Sequence, residues 1–315
     1  MPTPSPFTIL IHGGSGRLYP EPMSAAKEAA YTAKLTEAAQ AGYAILQQGG
    51  RSLDAVEASL RILEDSPLFN AGRGAVFSHD EVNELDASIM DGATLRAGAV
   101  AGVRTVRNPI LAARAVLEQS AHVLMTGAGA DAFAAQAGLE IVDPGWFRTE
   151  ERWAQIQQLK QAQRAAPAGQ PAPPPAKYGT VGAVALDQHG HLAAGTSTGG
   201  MLNKKFGRVG DSPIIGAGTY ANAICAVSGT GHGEFFIRHA VAHDIAALVE
   251  YKGLSVSEAA ALVMQKVAAA GGVGGVIALD AQGNIAMPHS TEGLFWAYVQ
   301  ADGTAHVNVC HMIIE

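Results

Sequence analysis

The sequence predicts a single α+β domain, residues 1–315, in which antiparallel sheets are covered by helices. The patterns of helices and of hairpins occur in separate groups, not in the regular strand–helix–strand alternation that predicts a parallel sheet. Two hairpin runs, 181–186 and 276–279, are apolar at successive positions, which is typical of a sheet buried on both faces. With 315 residues, 48% of them hydrophobic, the chain is long enough to bury such a core.

The composition narrows the choice of partners and compartment. The formal net charge is −7 and there is no long basic run, which argues against nucleic acid or an anionic membrane as a partner. No window approaches the roughly 18 apolar residues needed to span a bilayer, and the segment Met1–Pro6 lacks the features of a signal peptide. Two cysteines, Cys225 and Cys310, make no disulfide framework. We therefore expect a soluble cytoplasmic protein.

The first half of the chain begins with a strand and two helices. Residues 7–11 form an apolar, β-prone run that stops at His12–Gly16, which predicts a buried strand running into a glycine turn. An Ala-rich stretch from Ala25 to Gln48 predicts a helix, and Gly49 and Gly50 end it. The patterns that follow predict a helix over 52–64 capped by Ser52, strands at 84–90 and 97–103, a helix over Pro109–Gln119 capped by Asn108, a strand at 122–125, and helices at 131–137 and 150–163.

A Gln/Ala/Pro-rich segment, about 161–176, separates the two halves and predicts a mobile linker. Immediately after it, 181–186, a turn at 187–190 and 191–196 predict a hairpin. The same pattern recurs at 275–293, which predicts a second central sheet element, although a shared turn solution would give the same match. The intervening patterns predict helices over 233–252 and over 255–269, the latter opened by the capping box Ser255/Glu258.

The Gly179–Thr180 pair, where the linker meets the strand, is a candidate for self-cleavage. A threonine hydroxyl needs a base to act as a nucleophile, and an N-terminal threonine carries its own in an α-amine of pKa ~7.7–8. Gly179 has no Cβ atom, so the hydroxyl of Thr180 can reach its carbonyl carbon. On the dipeptide alone, an ordinary start of a strand is the commoner explanation.

Three further motifs could complete a site around Thr180. Thr196–Gly200 places hydroxyl groups at the end of the next strand, where ordinary edge threonines are the alternative. In the loop Gly207–Pro213, Arg208 could bind a carboxylate and Asp211 an ammonium group, unless the two form a simple surface ion pair. Ser228–Glu234 predicts a glycine-rich turn that opens a helix and could hold an oxyanion, a phosphate or no ligand.

Other site classes find less support in the sequence. The stretch His12–Gly16 fits neither the dinucleotide pattern nor the Walker pattern, so a structural glycine turn is the simpler interpretation. The eleven histidines and two cysteines show no spacing typical of a transition-metal site. We therefore expect neither an organic cofactor nor a catalytic transition metal.

Taken together, the motifs resemble those of the plant-type (class 2) L-asparaginase/isoaspartyl peptidase family of N-terminal nucleophile hydrolases. The resemblance covers nearly the whole chain, and the set is specific although each motif alone is weak. The matching segments are Ile11–Gly14, Pro67–Gly72, Glu84–Ala87, Met90–Gly92, Ala97–Val103, Gly179–Val184, Thr196–Gly200, Gly207–Pro213, Thr230–Gly231 and Gly233–Glu234.

The resemblance implies a four-layer αββα sandwich and self-cleavage into an α chain, 1–179, and a β chain, 180–315. It also implies an enzyme that acts on L-asparagine and β-aspartyl dipeptides as a homodimer of cleaved protomers. The implied roles are Thr180 as nucleophile, Thr198 as its assistant, Arg208 and Asp211 as the grip on the α-carboxylate and α-amine, Thr230 and Gly231 as the oxyanion hole, and Gly233 as a further substrate contact.

A structural sodium ion is implied in the loop 63–73. Its ligands would be the backbone carbonyls of Leu63, Glu64, Ser66, Phe69, Ala71 and Arg73. Three residues depart from the family pattern, namely Ser15, His232 and Ser290. Glycosylasparaginases are the nearest enzymatic alternative, but they have Asp where this chain has Gly179. A non-catalytic anion-binding protein is the alternative outside the enzymes.

Overall fold

The structure, a computed structural model, describes residues 6–16, 23–165 and 179–309. These residues form both helices and sheets, which confirms the predicted α+β class. The strands are β1 Thr8–Ser15, β2 Leu85–Asp91, β3 Ala97–Val103, β4 Leu124–Thr126, β5 Val181–Leu186, β6 Leu192–Thr198, β7 Thr219–Ala221, β8 Cys225–Gly231, β9 Gly274–Asp280, β10 Ile285–Ala286, β11 Leu294–Gln300 and β12 Ala305–Asn308. The helices are α1 Ala25–Gln47, α2 Ser52–Asp65, α3 Pro109–Gln119, α4 Gly127–Gln136, α5 Glu150–Ala165, α6 Gly233–His239, α7 Val241–Lys252 and α8 Val256–Ala269.

The strands form one sheet of eight and one sheet of four. The large sheet has the order β12-β11-β1-β5-β6-β2-β3-β4, and the small sheet has the order β10-β9-β8-β7. Neighbouring strands are antiparallel except β3 and β4. The centre of the large sheet, β5 and β6, contacts β8 of the small sheet, so the middles of the two sheets face each other.

Three hydrophobic clusters hold these elements together. The first joins α1, α2 and α3 to the large sheet, and the second joins α6, α7 and α8 to the small sheet. The third lies between the sheets, where side chains such as Leu10 and Val184 meet Ile277 and Leu279. The central strands β5 and β6 are therefore buried on both faces, as the continuous apolar pattern of 181–186 predicts for β5.

The repeated hairpin pattern corresponds to one hairpin in each sheet, β5–β6 and β9–β10. In the first turn, Asp187 Oδ1 accepts hydrogen bonds from the backbone N–H groups of residues 189 and 191. In the second turn, Asp280 Oδ1 accepts them from residues 282 and 284. Gly190 and Gly283 have φ angles of +81° and +85°, which glycine adopts without strain. The two hairpins share their turn chemistry, but only β5–β6 is central, because β10 is an edge strand of the small sheet. The prediction of a second central element is therefore wrong for β10.

Four local predictions are wrong. The glycines after His12 continue β1, with a bulge between His12 and Gly14, because β11 pairs with them. Ser52 is the first residue of α2 and not its cap, since its N–H is satisfied by Asp187 at 3.0 Å. The predicted helix over 233–252 is interrupted at Ala240, which has left-handed angles, φ 46° and ψ 48°. Residues 228–231 extend β8 instead of forming a turn.

The predicted linker is described only in part. Helix α5 extends to Ala165, which confirms the predicted helix over 150–163 and shows that the linker begins later than residue 161. Residues 166–176 lie outside the described residues. In the parts of the chain that the structure describes, no helix is long and apolar enough to cross a membrane.

Candidate active site

The β5–β6 hairpin brings Thr180 beside Thr198. Val181 and Ser197 are paired in register, so the residue before β5 lies across from the last residue of β6. Thr180 Oγ1 donates a hydrogen bond of 3.1 Å to Thr198 Oγ1, which also accepts one of 3.0 Å from the N–H of Gly200. Thr180 is 9% exposed and lines a pocket. Its hydroxyl is therefore oriented by the neighbouring strand and open to a small ligand.

Gly179 lies in backbone contact with Gly14 of β1. A Cβ atom on either glycine would overlap the Cα atom of the other. Gly14 also has a φ of +114°, which favours glycine. Packing against Gly14 therefore excludes a side chain at position 179.

Thr230 and Gly231, the last two residues of β8, reach the same pocket from the small sheet. Gly231 packs so closely on the neighbouring chain that a Cβ atom would lie 2.6 Å from the carbonyl oxygen of Val273. Thr230 is 1% exposed, and its hydroxyl oxygen has no hydrogen-bond partner among the described residues. Its carbonyl oxygen accepts a hydrogen bond of 3.0 Å from Ser15 Oγ. A buried hydroxyl without a partner is suited to bind a ligand oxygen.

Arg208 pairs with Glu234 and not with Asp211. Nε and Nη2 of Arg208 lie 3.0 and 3.1 Å from the two carboxylate oxygens of Glu234, a bidentate arrangement. His232 Nε2 lies 3.5 Å from the same carboxylate. The alternative of a simple surface ion pair between Arg208 and Asp211 is therefore wrong. The pair with Glu234 occupies one edge of the guanidinium group and leaves Nη1 outside it.

Asp211 lines the pocket as a buried carboxyl group. It is 5% exposed, and its Oδ2 atom has no hydrogen-bond partner among the described residues. Burial raises the pKa of this carboxyl to about 7, although its own backbone N–H and the charge of Arg208 act in the opposite direction. An ammonium group would supply both the positive charge and the donors that this carboxylate lacks.

Gly233 keeps the space between these two side chains open. It is the first residue of α6. A Cβ atom there would lie 2.6 Å from Arg208 Nη2 and 2.9 Å from Asp211 Oδ1. Any larger residue would therefore push the guanidinium and the carboxyl group out of their positions.

One pocket thus gathers most of the predicted site. The predicted residues that line it are Gly179, Thr180, Thr198, Arg208, Asp211, Thr230 and Gly231, and Gly233 lies beside it. Two of the departures from the family pattern, Ser15 and His232, also line it. Ser290 instead bonds to Gly274 at the start of β9. Sequence reasoning missed Met201 and Leu202, which come just after the Thr196–Gly200 motif, and gave no role to Ser212, which lies within Gly207–Pro213.

The loop 63–73 lies behind the pocket and is joined to it by Asn70. The carbonyl oxygen of Asn70 accepts a hydrogen bond of 3.0 Å from the N–H of Gly199, and its side chain donates one of 2.8 Å to the carbonyl of Gly200. A Cβ atom on Gly72 would overlap the carbonyl oxygen of Glu64, and one on Gly74 would overlap that of Phe69. The carbonyl oxygens of Glu64 and Phe69 therefore lie in close contact with these two glycines.

Comparison with known proteins agrees with this geometry. The model of the asparaginase family matches residues 5–309. An isoaspartyl peptidase of Escherichia coli K12 is 52% identical over 300 residues, which cover 94% of each chain. The isoaspartyl peptidase/L-asparaginase of Xenopus laevis is 40% identical over 96% of this chain and 95% of its own. That of Rattus norvegicus is 41% identical over 93% of this chain and 86% of its own. The resemblance seen in the sequence motifs is thereby confirmed, and the chain belongs to the asparaginase family.

Proposed function

We propose that this protein is a self-cleaving threonine hydrolase that releases L-aspartate from L-asparagine and from β-aspartyl dipeptides. The observation that carries the proposal is the position of the Thr180 hydroxyl. It is bonded to Thr198 at 3.1 Å and faces a pocket that also contains Arg208, Asp211 and Thr230. The printed names of the relatives, isoaspartyl peptidase and L-asparaginase, support the same reaction.

The first stage is cleavage of the chain. The Thr180 hydroxyl attacks the carbonyl carbon of Gly179, and the peptide bond to the Thr180 nitrogen breaks as an ester bond to its oxygen forms. Water then hydrolyses the ester. The products are an α chain, 1–179, which ends in a carboxylate, and a β chain, 180–315, which begins with the free amine of Thr180.

The second stage is hydrolysis of the substrate amide. The amine of Thr180 takes the proton of its own hydroxyl, which attacks the side-chain carbonyl of the substrate while Thr198 orients it. The Thr230 hydroxyl and the N–H of Gly231 stabilise the oxyanion, and removal of one such donor typically costs roughly 10²–10³ in kcat. Ammonia leaves from asparagine, or the second amino acid leaves from a β-aspartyl dipeptide. Water then hydrolyses the ester and releases aspartate from Thr180.

Arg208 and Asp211 select an α-amino acid end. The free edge of the Arg208 guanidinium binds the α-carboxylate, and the ionised carboxyl of Asp211 binds the α-ammonium group. Glu234 keeps the guanidinium in place through its bidentate pair. Gly233 leaves the room that both contacts need.

The wider organisation follows the same proposal. We assign a four-layer αββα arrangement, supported by two facing sheets with helices on their outer sides, and a cytoplasmic homodimer of cleaved protomers. The carbonyl groups of Leu63, Glu64, Ser66, Phe69, Ala71 and Arg73 would hold a sodium ion. When bound, that ion would stiffen the loop to which Asn70 ties Gly199 and Gly200.

Intact mass measurement of the purified protein tests the first stage. We expect two chains that divide between Gly179 and Thr180, and a single uncut chain for Thr180→Ala. A wild-type chain that stays whole after long incubation would contradict self-cleavage.

Product assays test the second stage on the cleaved protein. Ammonia release from L-asparagine and aspartate release from a β-aspartyl dipeptide are expected for wild type and absent for Thr180→Ala. The absence of both activities in wild type would favour an anion-binding protein. Activity confined to a sugar-bearing asparagine would favour a glycosylasparaginase.

A further inference from the structure

A chain of buried side-chain hydrogen bonds crosses between the two sheets just below the pocket. His12 Nε2 lies 3.0 Å from Ser228 Oγ, and Ser228 Oγ lies 2.7 Å from Thr196 Oγ1. Thr219 donates to Thr196 at 2.6 Å, and Ser88 Oγ lies 2.7 Å from Thr219 Oγ1. All five side chains are fully buried. Such a row of polar groups is stable only because each member satisfies the next.

Strand periodicity explains why these hydrogen-bonded side chains lie next to the pocket. Along β8, Ser228 and Thr230 share one face, and along β6, Thr196 and Thr198 share one face, because alternate residues of a strand point to the same side. On each strand, therefore, one residue belongs to the hydrogen-bonded chain and the next on that face belongs to the pocket. If Thr196 or Ser228 moved, the pocket residues Thr198 and Thr230 would move with them.

Gly182 is the residue that makes room for the bond between His12 and Ser228. It is paired with His12 in the β1–β5 register and with Thr196 in the β5–β6 register. A Cβ atom on Gly182 would overlap both His12 Nε2 and Ser228 Oγ. Gly182, the second glycine of the motif Gly179–Val184, is therefore explained by the hydrogen bond between His12 and Ser228 and not by the cleavage chemistry.

His12 also interacts with the residue proposed as the nucleophile. The backbone of Thr180 acts on the imidazole by hydrogen bonding and opposes the effect of burial, which lowers the pKa of His12 to about 3. The ring is therefore neutral at ordinary pH. Nδ1 of His12 has no hydrogen-bond partner of ordinary geometry among the described residues. The close contact that joins the ring to the start of β5 is its packing on Gly182, two residues after Thr180.

We propose that His12 is a positioning residue that links the start of β5, where its ring packs on Gly182 two residues after Thr180, to Ser228 on the opposite sheet. It thereby fixes where the Thr180 hydroxyl lies relative to Thr230, two residues beyond Ser228 on β8. The role rests on the proposed function, because it concerns the placement of the nucleophile. His12 itself touches neither the substrate nor the reacting atoms.

The test compares Ser228→Ala and His12→Phe with Ser59→Ala, which removes an equally buried hydroxyl in α2 that bonds to the carbonyl of Ala38 and does not line the pocket. Turnover of L-asparagine is measured per cleaved chain, with the cleaved fraction taken from intact mass. A displaced nucleophile can cost up to roughly 10²-fold. We expect kcat to fall about tenfold or more in Ser228→Ala and His12→Phe, while KM stays within about twofold. Ser59→Ala should keep kcat within about twofold, even where its Tm is lower.

Unchanged kcat in Ser228→Ala would overturn the positioning role, and so would an equal loss of kcat in Ser59→Ala. A general structural role would lower Tm in all three variants without separating their kcat values. If His12→Phe does not fold, Ser228→Ala alone decides between these results. An inactive wild-type protein would instead refute the proposed function, and the role of His12 with it.

Discussion

Replacing Asp211 by Asn removes the one carboxyl group that we assign to the substrate ammonium. Burial raises its pKa to about 7, so about nine tenths of these groups are ionised at pH 8 and about one tenth at pH 6. Because only the ionised carboxylate binds the substrate ammonium, protonation of Asp211 lowers kcat/KM about tenfold as the pH falls from 8 to 6. The amine of Thr180, with a pKa of ~7.7–8, must also be neutral and adds a second proton.

The two groups give a distinct pH profile. Below about pH 6, log kcat/KM of wild type should fall with a slope that approaches 2, since two protons must leave the free enzyme. In Asp211→Asn the slope should approach 1. At pH 8, loss of a hydrogen bond to a charged group, about 1.5–3 kcal/mol, lowers kcat/KM roughly 10- to 150-fold.

The assay is ammonia release from L-asparagine by cleaved protein between about pH 5.5 and 9, with Glu64→Gln as the matched control. Glu64 is also a fully buried carboxyl, with a pKa raised to about 8, but it does not line the pocket. Its variant should keep the slope of 2. A slope of 2 in Asp211→Asn, with kcat/KM within about twofold of wild type at pH 8, would refute the assignment.

Three further predictions concern the same region. Thr198→Val keeps the shape of the side chain but removes the acceptor of two hydrogen bonds. We therefore expect kcat per cleaved chain to fall roughly 10- to 100-fold and the stability to fall by about 1–3 kcal/mol. Full turnover would count against an assisting role. Glu64 has a pKa raised by burial from 4.5 to about 8, so its contribution to stability is complete below pH 4.5 and is lost as pH rises through 8. Glu64→Gln should therefore gain a few kcal/mol over wild type between about pH 6 and 9 in urea unfolding, whereas a difference that does not change with pH would contradict the shift. Gly182→Ala should lower stability by about 1–3 kcal/mol, because the added methyl group would overlap His12 and Ser228. An unchanged Tm would show that these two side chains can move apart without loss of stability.

The parts of the site that the sequence predicts are those defined by local patterns. The β5–β6 hairpin follows from two apolar runs and an Asp/Gly turn, and the structure forms it with Asp187 in the turn. Once the hairpin closes, Thr180 and Thr198 must meet, since they flank its two strands. The pairing of Arg208 with Glu234, 26 residues away, follows no such local pattern.

The parts that the sequence does not predict depend on distant contacts. His12 and Ser228 are 216 positions apart and meet only because β1 and β8 lie in facing sheets. Ala240 breaks a run with good helical propensity, because its left-handed angles redirect the chain between α6 and α7. Tertiary packing overrides propensity at such points, and a single sequence carries no signal for it.

The bidentate pair between Arg208 and Glu234 has a consequence for turnover. With Asp211 ionised, the three charged side chains around the amino-acid end carry one positive and two negative charges. Asparagine enters as a zwitterion without net charge, but hydrolysis converts its amide into a carboxylate. The aspartate formed carries a net negative charge beside Asp211, which is 5% exposed, whereas the Glu234 side chain is 46% exposed and screened by water. The ionised Asp211 that binds the substrate ammonium therefore also weakens the binding of the product.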